Sequence, residues 1–186
     1  MDIVALVIVI ALVVYAIVIY NGLVKARQMV REAWSGIDVQ LKRRADLIPN
    51  LIETVKGYAK HEQDTLTEVI EMRNRAQSVA ADDVAGRAQA EGLLGQALGK
   101  LFALAEAYPD LKANQNFAEL QETLEHVEDE IQMSRRYYNG SARDLNVRVE
   151  SFPSNLVANT FKFAQADYFE IENAADRAVP KVDFGN

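Results

Sequence analysis

"RRADLIPNLIETVKGY", Arg43 to Tyr58, carries a proline in the middle of a stretch whose apolar residues recur at helical spacing. A proline inside a helix removes one backbone hydrogen bond, and its ring presses on the carbonyl four residues back, at a cost of roughly 3 kcal/mol. A fresh helix beginning at Pro49 is the alternative, but Ile48 before it is a poor N-cap. The apolar stripe also keeps its phase across the proline, with Ala45 and Ile48 before it and Ile52 and Val55 after. The spacing therefore predicts one continuous, kinked helix in which the Ala45 carbonyl loses its usual partner. Asn50 or a neighbouring arginine would then satisfy that carbonyl.

The same face extends both ways. Val30, Ala33 or Trp34, Ile37 and Leu41 precede it, and Ala59, Leu66, Val69 and Ala76 follow. Steps of three and four predict a helix from Val24 to about Ala76. "SVAADDVAG", Ser78 to Gly86, interrupts it, and the Asp82-Asp83 pair offers a new N-cap. A second helix is expected from about Val84 to Ala107, with Leu94, Leu98, Leu101 and Ala105 as its stripe. Its Gly95-x-x-x-Gly99 reads as close packing inside the bundle. "AYPDLKANQNFAELQ", Ala107 to Gln121, is a turn, and Asn116 with Glu119 has the spacing of a capping box. Beyond it runs a seam of alternating three- and four-residue steps: Phe117, Leu120, Leu124, Val127, Ile131, Ser134, Tyr138, Ala142, Leu145, Val149 and Phe152. Pro153 stops it, and Ser154 would cap a short last helix from about Asn155 to Ala166. Residues 167–186 read as a partly irregular tail.

Upstream, Ile3 to Tyr20, "IVALVIVIALVVYAIVIY", holds no charged residue. At 1.5 Å per residue it spans about 27 Å, close to the hydrocarbon thickness of a bilayer. Tyr15 and Tyr20 sit near one end, as interfacial aromatics do. A cleaved signal peptide would have a basic start, a shorter apolar core and a small-residue cleavage site. The Met1-Asp2 start and the long core favour an uncleaved anchor over residues 1–23, with a helical bundle over 24–166. Lys25, Arg27, Arg31, Lys42, Arg43 and Arg44 follow the span, which by the positive-inside rule puts the N-terminus outside and the bundle in the cytoplasm. A periplasmic bundle is the alternative.

The 186 residues include no cysteine, so thiolate chemistry and disulfides are excluded, and the net charge of −7 argues against nucleic acid as a partner. There is no phosphate-binding loop and no dinucleotide fingerprint. His126 lies among Glu122, Glu125, Glu128, Asp129 and Glu130, but Thr123 occupies the position where a helical di-iron motif has its glutamate. That run reads as a solvated acidic face, and no metal or other cofactor is expected. Arg43-Arg44 and Arg135-Arg136 read as ion-pairing residues.

"LIPNLIETVKGYAKHE" (Leu47 to Glu62), "AYPDLKANQNFAELQ" and "RRYYN…FPSNLVA" (Arg135 to Ala158), with "YNGLV" (Tyr20 to Val24) after the apolar segment, together resemble the LemA family. The resemblance covers about residues 1–166. It departs where the family repeats Tyr-Asn, because this chain has Leu145-Asn146, so no role of a second tyrosine is carried over. The resemblance implies a single-pass bacterial membrane protein with a helical-bundle domain, associated with envelope stress, membrane-protease neighbourhoods and membrane organisation.

The expectation is thus an all-α chain, an N-terminal transmembrane helix continuing into an elongated antiparallel bundle of long helices, in the bacterial cytoplasmic membrane. The function expected is a non-enzymatic, homo-oligomeric scaffold partnered by the lipid bilayer. The alternative is a sensor or adaptor for a membrane protease. Structural or interface residues are expected at Arg43, Asp46, Pro49 and Asn50, at Tyr108, Pro109, Asp110 and Asn114, and at Arg135, Arg136, Tyr138 and Asn139.

Overall fold

A computed structural model describes residues 3–59 and 61–170. Six helices occur among them: α1 (Ile3–Tyr58), α2 (Gln63–Ser78), α3 (Val84–Ala105), α4 (Pro109–Lys112), α5 (Gln115–Glu150) and α6 (Ser154–Thr160). No described residue is in a strand, so the chain is all-α. Of the tail expected over 167–186, residues 167–170 are non-helical and 171–186 lie outside the described residues.

The chain divides into two compact units, the first ending at Arg44 and resuming at Leu124–Tyr168, the second built on Ala45–Thr123. In the first, α1 and α5 run antiparallel. Successive contacts show it: Gly22 against Arg148, the Trp34 ring 5.5 Å from that of Tyr138, and Arg44 paired with Glu128. Leu23, Val30, Ile37 and Leu41 from α1 and Leu124, Val127, Ile131, Tyr138 and Leu145 from α5 are buried. The expected seam is therefore the core, with one exception. Phe152 is 79% exposed. Its place in the seam was counted as if the helix continued, but α5 ends at Glu150 and the three-and-four spacing loses its meaning two residues later.

The second unit holds α2, which folds back along α1 and forms a hairpin with α3. The expected unbroken helix to Ala76 does not form: α1 ends at Tyr58, and Ala59 and Glu62 lie in the break before α2. After Ala59 the next apolar stripe residue is Leu66. Nearly two turns with nothing to bury, next to the weak helix former Gly57, leave the helix no packing to sustain it. α3 starts where expected, because the Asp83 side chain accepts a hydrogen bond from the Gly86 amide at 2.8 Å. It ends at Ala105, two residues early.

Gly95 and Gly99 lie on the exposed side of α3, and among the described residues nothing comes within 4 Å of where their Cβ atoms would be. The close-packing reading fails because α3 buries Leu94, Ala97, Leu98 and Leu101 instead. Both glycines then carry only an entropic penalty. Gly95→Ala and Gly99→Ala should each raise stability by about 0.5–1 kcal/mol, read as a higher thermal midpoint. A loss of stability would mean that another surface approaches α3 closely there.

α5 is capped by Asn114, not Asn116: the Asn114 Oδ1 accepts from the Phe117 amide at 3.0 Å. Ser154 opens α6 but donates its hydroxyl to the carbonyls of Arg148 and Ser151, and α6 stops at Thr160, short of Ala166. The stop is a Schellman turn. The Phe163 amide bonds to the Ala158 carbonyl at 2.9 Å and the Lys162 amide to that of Asn159 at 3.4 Å. Lys162 takes the left-handed conformation there (φ 55°), which costs a side-chain-bearing residue roughly 1–2 kcal/mol.

Candidate functional site

The residues expected to matter fall into separate constellations. On α1, Arg43, Asp46, Pro49 and Asn50 all face solvent. Pro49 stands inside a continuous helix, as the stripe required. The Ala45 carbonyl freed by it accepts a hydrogen bond from Arg73 Nε at 2.7 Å. The partner is thus an arginine, but one brought from α2. Asn50 uses its own carbonyl to accept from Thr54 Oγ1 at 2.9 Å.

Tyr108, Pro109, Asp110 and Asn114 gather at one end of the second unit. Pro109 opens α4, where a missing N–H costs nothing, and Asp110 follows it, exposed. The Tyr108 hydroxyl donates to Glu62 Oε1 at 3.0 Å, and Asn114 Nδ2 donates to the Tyr58 hydroxyl at 2.9 Å. These two bonds fasten the α4 turn to the break after α1. The bond to the Glu62 carboxylate holds the Tyr108 phenol above its ordinary value. Tyr58 and Glu62 complete this cluster, and sequence spacing alone did not single them out.

In the first unit the expected ion pairing is seen at Arg44. Arg44 is buried and its Nη1 lies 2.6 Å from Glu128 Oε2. Glu128 Oε1 also accepts from Gln132 Nε2 at 2.8 Å, and Gln132 Oε1 accepts from Arg135 Nη1 at 2.9 Å. Burial pushes the Arg135 guanidinium below its ordinary value, while Glu128 opposes the shift. Part of the acidic face is thus committed to internal pairing. Arg136 is exposed and Asn139 half-buried. His126 and His61 are exposed, and among the described residues no three His, Cys, Asp or Glu side chains group closely enough to hold a metal ion.

α5 also grips the extended stretch that follows α6. The Tyr138 hydroxyl donates to the Asp167 carbonyl at 2.8 Å. Asn146 makes a double bond of this kind with Ala166: its Nδ2 donates to the carbonyl at 2.9 Å and its Oδ1 accepts from the amide at 2.8 Å. Gln165 Nε2 adds a bond to Glu150 Oε1 at 2.7 Å. Sequence reasoning placed Leu145 in the apolar seam but noted Asn146 only as part of a departure. The structure gives the asparagine the gripping role and buries Leu145 in the core.

Burial pushes the Tyr138 phenol up to about 12, with Asp167 adding to the shift. An unfolded tyrosine titrates near 10, so the folded chain holds this proton more tightly. That stabilisation is complete below about pH 10 and is lost as pH rises through about 12. Urea unfolding at stepped pH should show stability falling across this window. Tyr138→Phe should flatten the fall. An unchanged slope in the variant would place the alkaline transition on another group.

Between α1 and α5 lies a cleft of about 200 Å³ lined by Gly22, Lys25, Ala26, Met29, Ser141, Asp144 and Arg148. A Cβ on Gly22 would stand 3.1 Å from Arg148 Nη1, so the missing side chain lets the guanidinium lie against α1. Above this level, every side chain from Ile3 to Val18 is exposed. A stretch that apolar with nothing packed on it fits a membrane anchor, and the window that meets span length and composition is 0% buried.

The sequence matches the family model described as "LemA family" over residues 33–184. It is 26% identical over 184 residues to "Magnetosome protein MamQ 2" of Paramagnetospirillum magneticum, covering 86% of this chain and 68% of that protein. Against "Magnetosome protein MamQ" of Magnetospirillum gryphiswaldense it is 24% identical over the same length and coverage. Against "Protein LemA" of Metamycoplasma hominis it is 25% identical over 150 residues, 81% of this chain and 68% of the relative.

Proposed function

This chain belongs to the LemA family, and from that premise we propose that it is a non-enzymatic scaffold anchored in a bacterial cytoplasmic membrane, where copies assemble to organise membrane or envelope. One observation carries the reading. The uncovered apolar segment and the packed part of α1 are a single unbroken helix, so the anchor continues without a break into the first unit at Ile19–Leu23. Relatives named for the magnetosome support a role in membrane organisation over a reaction. The cations that follow the span, Lys25, Arg27 and Arg31 first, favour a cytoplasmic bundle. Exposed Arg43, Asp46, Pro49 and Asn50 offer a polar face to a neighbouring copy.

The full-length chain extracted in mild detergent tests this by light scattering and electron microscopy. A discrete assembly of many copies is the expected result. A monomer would overturn the scaffold and favour the second reading, a sensor or adaptor for a membrane protease. The cleft lined by Lys25, Asp144 and Arg148 is the feature that favours that alternative.

A further inference from the structure

Outside the apolar segment of α1, the most exposed large apolar side chain among the described residues is Phe152, at 79%. It is not isolated. Leu156 is 59% exposed and Phe161 57%, and all three lie within ten residues on the α5–α6 corner and the turn after α6. Phe161 packs edge-on against Tyr20, ring centroids 4.8 Å apart, and Phe163 packs on the same ring at 5.7 Å. Tyr20 is the last residue of the apolar run before Asn21, and Ile19 and Tyr20 are where burial of α1 begins. The corner therefore sits at the depth where the helix leaves the hydrocarbon, the layer that aromatic side chains favour.

We propose that this corner is a second membrane contact, with Phe152, Leu156 and Phe161 inserted into the interfacial layer of the bilayer that α1 crosses. The inference rests on the anchor reading. Three features of the fold favour lipid over protein as the occupant. The patch is continuous with the span through the Tyr20–Phe161 contact. Cations stand close by: Arg148 lies against Gly22, Arg27 sits 4.8 Å over the Phe163 ring, and Lys162 adjoins Phe161. Positive charge at this level attracts anionic headgroups. Finally, Lys162 occupies a left-handed backbone position that glycine would fill without strain. A side chain carried at such a strained position suits a role beyond folding, and a lysine beside exposed apolar groups at the membrane surface has one to play. An inserted corner of this type rests about 5–10 Å into the boundary between headgroups and acyl chains.

The absence of native cysteine makes the test direct. The full-length chain is placed in phosphatidylglycerol-containing vesicles with an environment-sensitive fluorophore on Leu156→Cys, or on Phe152→Cys should the first variant fold poorly. Quenchers are carried on the lipid acyl chains, at an upper position to report residue 156 and near the terminal methyl to report residue 12. Leu12→Cys reports the anchor and Met133→Cys an exposed site on α5. The proposal expects strong quenching at positions 12 and 156 and several-fold weaker quenching at 133. Quenching at 12 without quenching at 156, whether that label stays in water or is covered by another copy, overturns it while leaving the anchor standing. Absence of quenching at 12 overturns the anchor reading and this inference together. Lys162→Gly, which relieves the backbone, should reduce quenching at 156 in anionic vesicles; no reduction would overturn the role given to the charge.

Discussion

Asn146→Leu should lower the stability of the full-length chain by about 2–4 kcal/mol, because it leaves the amide and carbonyl of Ala166 without their partners. Asn146 is buried and Ala166 half-buried, and an unmatched polar group kept from water costs roughly 1–3 kcal/mol. The leucine is close in volume, so the loss is one of hydrogen bonding and not of packing. Hydrogen exchange separates two routes by which the chain can yield. If the stretch around Ala166 peels away and hydrates, its amide exchanges fast while α5 stays protected, and the measured loss sits at the low end. If it stays in place, the full penalty appears in denaturant unfolding. An unchanged stability with a protected Ala166 amide would refute the gripping role.

The second large effect concerns Pro49. Arg73→Ala removes a charged donor from the Ala45 carbonyl, and hydrogen bonds to charged groups contribute about 1.5–3 kcal/mol. The informative experiment is a double-mutant cycle with Pro49→Ala. An alanine restores the N–H that the Ala45 carbonyl would ordinarily accept. In that background Arg73→Ala should cost less than about 0.5 kcal/mol, and the two changes should couple by more than about 1 kcal/mol. Additive effects would show that Arg73 does not compensate for the proline.

What the sequence made legible was periodic or local. The α1 stripe from Val30 to Val55 and the α5 seam to Leu145 are buried because three-and-four spacing is a property of the helix itself. The orphaned Ala45 carbonyl followed from proline chemistry, and so did its need for another donor, for which Asn50 and an arginine were equal candidates. Identifying Arg73 required knowing that α2 folds back on α1, and the cue was present: the step from Ala59 to Leu66 was counted as continuous when it marked the break. Asn146 was opaque because its partner is a backbone twenty residues away, which no periodicity encodes. Phe152 was misassigned for the opposite reason, since a pattern was carried past the end of the helix that produces it. Tyr108 and Asn114, expected as structural or interface residues, are tied to Glu62 and Tyr58, contacts between segments that only the fold brings side by side.

The bond from Arg73 to Ala45 also orders events in time. Ribosomes deliver the chain from its N-terminus, so the turn around Pro49 is made before the arginine that completes it, which lies 28 residues beyond Ala45. Until then the Ala45 carbonyl can be satisfied only by water, and a site that must stay wet cannot be sealed by its neighbours. The joint around Pro49 is therefore complete only once α2 has been made and has folded back. A nascent chain halted before α2 would present a finished stem and an unfinished, hydrated joint.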